Sequence, residues 1–329
     1  MSVTESTAVR LAHCPDFDPD GRGRHWLHGT DRQWPETNCY ADLWIEVLHA
    51  LGLDPVPALA GAASMGFVDD HWGFFKPDGH DLRSLYGIVV QELPVWRDLG
   101  EHIDTQLAAG RLVTLEVDSF FLPDTAGVAY GIGHTKTTIV PFTHDAEQRT
   151  MRYFHNAVVA AVAGDDHDGA LLQRGGDGSA GMVPYMEAVH LDHLVRRTTE
   201  ELRTIACSLA AEHLAHMPAG NPVRALCDHI EHAVDTLDLA TFHEYAFATL
   251  RLCGAQADLA EGFHGWLAAT RHTSAAATAW GELAALAKTA QFKLARRAAG
   301  RTVPLDEVFD AMSTTWERAM EATIASCER

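Results

Sequence analysis

The chain has no run of about 18 uncharged apolar residues, so it offers no membrane span. Hydrophobic residues still make up 47% of its 329 positions, enough for a sizeable core. Cations are scarce: 25 Lys and Arg stand against 45 Asp and Glu, a formal net charge of −20. A surface this acidic repels phosphate backbones, which argues against nucleic acid as a partner and suits a cationic or amine-bearing small molecule. The deficit is uneven: residues 1–190 hold 12 Lys and Arg against 27 Asp and Glu, residues 191–329 hold 13 against 18. Cysteine is also sparse. The six (Cys14, Cys39, Cys207, Cys227, Cys253 and Cys327) form no CxxC, so neither a zinc ribbon nor a disulfide framework is expected. The first residues lack the charged start and apolar middle of a signal peptide, and a cytoplasmic protein is expected. No Walker A or HExxH occurs. The 20 histidines include the HxxH pairs His190/His193, His213/His216 and His229/His232, and Glu187 to His190 has Glu-x-x-His spacing. Matching carboxylates on further helices are not evident, so no metal site is expected.

The stretch Asp31–Leu51 organises the chain. Leu43, Trp44, Val47, Leu48 and Leu51 recur at helical spacing, the stripe of an amphipathic helix with one buried face. Pro35 and Asn38 stop it from extending upstream, with Asn38 suited to a cap. Cys39 then falls in the first turn, where unpaired N–H groups and the helix dipole favour a thiolate. The plainer alternative is a small buried hydrophobe.

Residues 1–37 look irregular, with a short strand near Trp26–Leu27. His71–Lys76, Ile88–Leu93 and Arg111–Phe121 read as strands, Asp81–Tyr86 as a short helix, and Pro94 opens a helix through Leu107 with Trp96 on its apolar face. Thr135–Phe142 and Thr150–His155 read as a hairpin, and the Gly- and Asp-rich residues Gly164–Gly181 as a loop. From Leu191 alanine and leucine dominate. Helical segments are expected near 192–216, 222–236, 239–253, 256–270, 274–299 and 305–327, with Gly254 among the breaks. Two domains follow, 1–190 mixed α+β and 191–329 all-helical.

A cysteine nucleophile needs a base and a group that orients the base. His134 precedes the first hairpin strand and Asn156 ends the second, so both sit at the same open end and Asn156 could hold the imidazole. Gln33, six residues before Cys39, could supply an oxyanion donor beside the Cys39 N–H. The order Gln33, Cys39, His134, Asn156 resembles the papain-like cysteine peptidase fold. More specifically, Thr37–Tyr40, Trp72–Lys76, Leu85–Ile88, Val117–Asp124, Gly133–Thr135 and Tyr153–Asn156 are similar to a bacterial family related to the butirosin-biosynthesis acyltransferase N-terminal domain. Members of that family occur beside stand-alone amino acid:carrier-protein ligases. The resemblance covers roughly residues 30–190. It implies an α+β papain-like domain ahead of the helical one, and transfer of an acyl or aminoacyl group to an amine or hydroxyl acceptor. The donor would be the phosphopantetheine thioester of an acyl or aminoacyl carrier protein, with that arm part of the substrate and no cofactor bound permanently. A cysteine hydrolase (thioesterase, peptidase or amidase) on the same triad is the alternative, and a non-catalytic carrier-protein-binding module is a third.

Further residues suit substrate. Asp118 and Asp124, in VDSFFLPD, could bind an acceptor ammonium or cap a turn. Trp72 and Phe75 could wall a pantetheine tunnel or pack in the core. Glu36 could read substrate charge or sit solvated in a turn.

Overall fold

The computed structural model describes residues 7–171, 185–234, 237, 239–268 and 274–327. In chain order the strands are β1 (Val9–Arg10), β2 (Phe67–Val68), β3 (His71–Trp72), β4 (Val89–Glu92), β5 (Leu112–Asp118), β6 (Lys136–Asp145), β7 (Thr150–His155), β8 (Val158–Ala163) and β9 (Met186–His190). The α-helices are α1 (Cys39–Ala50), α2 (Gly79–Tyr86), α3 (Leu99–Ala108), α4 (Asp165–Leu171) and α5 (Thr199–Ala215). They continue with α6 (Pro222–Ala233), α7 (Leu239–Ala246), α8 (Leu252–Leu267), α9 (Ala275–Ala298) and α10 (Asp306–Cys327). The chain is therefore α+β, with an antiparallel sheet followed by a helical region. No described helix is long and apolar enough to cross a membrane.

The residues group into two compact units. The first takes Met1–His25, Asp42–Asp54 and Leu82–Arg196; the second takes Trp26–Ala41, Pro55–Asp81 and Arg197–Arg329. A single cut near residue 190 does not describe this grouping. Two N-terminal pieces belong with the helices, because their side chains are buried among them.

In the first unit the sheet runs β4-β9-β5-β6-β7-β8, all antiparallel, with β1 pairing the far end of β6. Leu112, Val113, Leu115 and Val117 of β5 are all buried. Burial on both faces explains why that strand is nearly continuous in apolar residues. Leu99, Ile103 and Leu107 of α3 pack toward β1, β5 and β6. The expected start of α3 at Pro94 is late by a turn: Asp98 caps it, accepting from Gly100 and Glu101 N–H, and Trp96 lies outside, 77% exposed. The predicted hairpin forms, but β6 runs past Phe142 to Asp145. A bulge between Pro141 and Thr143 absorbs the proline, which has no N–H for the ladder. Helix α4 occupies Asp165–Leu171 of the stretch expected to be loop, and residues 172–181 of that stretch lie outside the described residues.

In the second unit α8 is buried around most of its circumference and packs on α9, which packs on α10. Trp26–His28 is a 3-10 turn where a strand is expected. Trp34 donates its indole N–H to the Ala284 carbonyl (3.2 Å), and its ring lies against Gly254. A Cβ on Gly254 would fall 2.7 Å from that ring. Gly254 is therefore a close-approach residue inside α8, not the break its sequence suggests. The helix interruption sits earlier, as a π-helical stretch at Phe247–Arg251.

Candidate active site

Cys39 is the first residue of α1, as the pattern predicts. Asn38 caps the helix: its Oδ1 accepts from Tyr40 N–H (3.1 Å) and Ala41 N–H (2.9 Å), and its amide donates to the Phe75 carbonyl (3.1 Å). The helix has no single buried face. Tyr40 to Leu48 are buried throughout, including Asp42 and Glu46, whose carboxylate accepts His25 N–H at 3.0 Å. Cys39 itself is half-buried, and its sulfur has no hydrogen-bond partner among the described residues. It is not sealed in apolar packing.

The chain leading into Cys39 is held by two cations of the second unit. Arg251 donates to the carbonyls of Glu36 and Thr37, and Lys288 to that of Gln33. Both cations also stand over the Trp34 ring, at 5.9 and 5.2 Å. They line a cavity of about 340 Å³ with Trp34, Phe242, Phe247 and Phe292. Gln33 and Glu36 are exposed; no described hydrogen bond joins the Gln33 side chain to Cys39. Trp72 and Phe75, expected to wall a tunnel, are 4% and 2% exposed. Trp72 donates its indole N–H to Gln256, whose amide donates to the Gly73 carbonyl (2.8 Å). Both are core residues, because an indole inside a packed helix pair needs an acceptor and α8 supplies one.

In the first unit His134 lies two residues before β6, and Asp118 ends β5. The register pairs Asp118 with Lys136, which brings the carboxylate beside the imidazole. Asp118 Oδ2 meets His134 Nδ1 at 2.6 Å, while Oδ1 accepts Phe120 N–H at 3.0 Å. Phe120 stacks on the imidazole, centroids 4.4 Å apart and planes within 10°. A carboxylate on Nδ1 fixes the tautomer with its lone pair on Nε2. Nε2 has no partner among the described residues, and the side chain is 69% exposed. This is an oriented imidazole with one nitrogen open.

Asn156 does not orient that ring. Ile139 pairs with His155, so the register carries Asn156 to Thr138. That is four residues from His134, about 13 Å of strand. Asn156 instead starts the tight turn between β7 and β8 at φ +47, a conformation asparagine tolerates better than most residues. Asp124 is likewise taken. Its Oδ2 meets His155 Nδ1 and its Oδ1 accepts the Tyr153 hydroxyl, each at 2.5 Å; His155 Nε2 meets Thr137 Oγ1 at 2.7 Å. Burial pushes the Asp124 carboxyl up, but these bonds outweigh it and hold it below the usual range; burial beside Asp124 pushes the Tyr153 phenol up. The network is satisfied within the core, so Asp124 is not open to an acceptor ammonium.

Three histidines of the HxxH pairs are engaged elsewhere. His213 pairs with Asp81, and the rings of His216 and His232 reach the carbonyls of Glu212 and Asp228. Among the described residues no group of three or more His, Cys, Asp or Glu is arranged around a metal ion.

The second unit thus carries a cysteine heading a capped helix, and the first unit carries a carboxylate-held histidine beside an aromatic stack. The chain belongs to the DUF1839 family: the DUF1839 N-terminal domain matches residues 23–191 and the DUF1839 C-terminal domain residues 199–325. Comparison with curated proteins gives no match.

Proposed function

We propose that the protein is a cysteine-dependent acyl or aminoacyl transferase of papain-like arrangement, akin to the butirosin-biosynthesis acyltransferase N-terminal domain. Cys39 is the nucleophile, His134 the base and Asp118 the residue that orients it. The Asp118–His134 pair carries the reading: a ring held at Nδ1, stacked on Phe120 and open at Nε2 has the geometry of a general base. Its support is Cys39 at the first position of a capped helix.

In the first step His134 Nε2 takes up the Cys39 thiol proton, and the Cys39 Sγ thiolate attacks the carbonyl carbon of a carrier-protein pantetheine thioester. The carbon–sulfur bond to pantetheine breaks, and the departing thiolate takes the proton from His134. In the second, His134 accepts a proton from the acceptor amine or hydroxyl as it attacks the acyl-cysteine, and Cys39 leaves as thiolate. One thioester replaces another in the first step, so positioning matters more than driving force. The cavity lined by Trp34, with aromatic walls and two cations, suits a linear arm carrying a phosphate.

A hydrolase is the second reading, favoured by the 69% exposure of His134, which leaves its Nε2 open to water. Incubation of the full chain with an aminoacyl-pantetheine thioester, followed by intact mass, tests both. Transfer predicts an acyl adduct on Cys39 that persists until an amine is added and is absent from Cys39→Ala. Rapid release of free acid indicates hydrolysis. No adduct, or equal adducts on wild type and Cys39→Ala, ends the proposal.

A further inference from the structure

Away from His134, the first unit carries a second histidine arrangement that the proposed reaction does not use. His144, near the end of β6, and His167, on α4, meet head to head. Their Nε2 atoms are 3.1 Å apart, the ring centroids 5.2 Å, and the planes within 11°. Each Nδ1 is held by its own carboxylate: Asp104 Oδ1 lies 2.7 Å from His144, and Asp168 Oδ1 3.0 Å from His167. Asp168 also accepts from Arg149 (2.6 Å), so it is an acceptor. The His144 side chain is 1% exposed and that of His167 7%.

The hydrogen inventory follows from these contacts. An ionised carboxylate only accepts, so both Nδ1 atoms carry hydrogen and each neutral ring has its lone pair on Nε2. Two lone pairs would then face each other at 3.1 Å in a buried place. That arrangement is repulsive unless a positive centre lies between them, and the two candidates are one shared proton and a metal ion.

The structure assigns this pair to a metal ion: we propose that His144 and His167 bind one divalent transition ion of the imidazole-preferring kind, represented by Zn²⁺, in place of the shared proton. Carboxylate–histidine pairs on both sides are the outer shell that orients metal-binding imidazoles and raises their basicity. With Zn–N bonds of about 2.05 Å, nitrogens 3.1 Å apart subtend about 98° at the ion, between octahedral and tetrahedral values. An adjoining cavity of about 400 Å³, lined by both rings together with Gly100, Asp104 and Glu101, leaves room for water to complete the coordination. Gly100 keeps that approach clear, since a Cβ there would lie 2.8 Å from His144 Cε1. Only two described side chains ligate, so the expected affinity is well below that of a four-ligand structural zinc site, and the open positions can take an exogenous donor.

Equilibrium dialysis of the chelator-treated full chain against Zn²⁺ tests this, with competing zinc sites on the histidine-rich surface subtracted by variants. Wild type should retain one more equivalent than His167→Gln. Asp104→Asn keeps both imidazoles and one carboxylate, so it should weaken that equivalent about 10–100-fold without abolishing it. Circular dichroism checks that each variant is folded. Equal Zn²⁺ retention by wild type and His167→Gln, or by wild type and Asp104→Asn if His167→Gln is unfolded, overturns the proposal and leaves a shared proton between the rings.

Discussion

The two oxygens of Asp118 have separate roles. Oδ2 fixes His134, and Oδ1 caps the turn that places Phe120 over the same ring. Asp118→Asn keeps an acceptor for Phe120 N–H but replaces the Nδ1 partner with an amide. The acylation rate of Cys39 by a thioester, followed by quenched-flow mass, should fall by about 10²–10⁴-fold while the fold is retained. Asn156 gives the contrasting outcome. Asn156→Gly should leave that rate unchanged, and Asn156→Ala should cost about 1 kcal/mol in urea unfolding because its φ of +47 is strained for alanine. Cys39 and His134 are legible in the sequence from a helix start and a strand start. Their orienting partner is not, because it depends on which strand flanks β6. The hairpin β6–β7 is visible as local periodicity, whereas β5 joins β6 across a 17-residue connection whose register only the folded sheet fixes.

At the level of elements, α1 depends on its cap. Asn38→Ala removes the acceptor of two N–H groups and the bond to the Phe75 carbonyl, and should destabilise the protein by about 1–2 kcal/mol in chemical unfolding. A second tie links α5 to the start of α2. His213 Nε2 meets Asp81 Oδ2 at 2.7 Å, and this bond raises the His213 pKa against the opposing effect of burial. Because the folded value lies above the unfolded one, the pair stabilises fully below about pH 6.5 and its contribution is lost as pH rises through the folded value. The melting temperature of wild type relative to His213→Gln should therefore be raised at about pH 5.5 and converge toward it by about pH 8.5. Most helices of the second half are legible because small apolar residues repeat at helical spacing. Gly254 misleads because a glycine admitted for a neighbouring ring has the same letter as one that ends a helix.

The whole molecule shows why a boundary near residue 190 is incomplete. The gap between the two family domains falls at residues 192–198, yet Arg32 lies almost fully buried against Asp258 and Glu261 of α8, inside the second unit. Burial pushes the Asp258 carboxyl up to about 6, with Arg32 pulling the other way. Arg32→Met should cost about 3–5 kcal/mol, since it leaves that carboxylate buried without its cation. By the same argument a fragment of residues 197–329 should lack a cooperative thermal transition, having lost the Arg32, Trp34 and Trp72 contacts to α8 and α9. Composition reveals the helical half but not its N-terminal pieces, because their pairing spans more than 180 residues and leaves no periodic trace.

That long reach has a consequence for biosynthesis. Arg32 precedes Asp258 by 226 residues, and Trp34 precedes Ala284 by 250. At about 5–20 residues per second, a ribosome needs about 10–50 s to deliver those partners after the N-terminal segment has emerged. Throughout that interval the nascent chain presents an unsheltered indole and a stranded guanidinium, and the second unit closes only after α8 and α9 have been made.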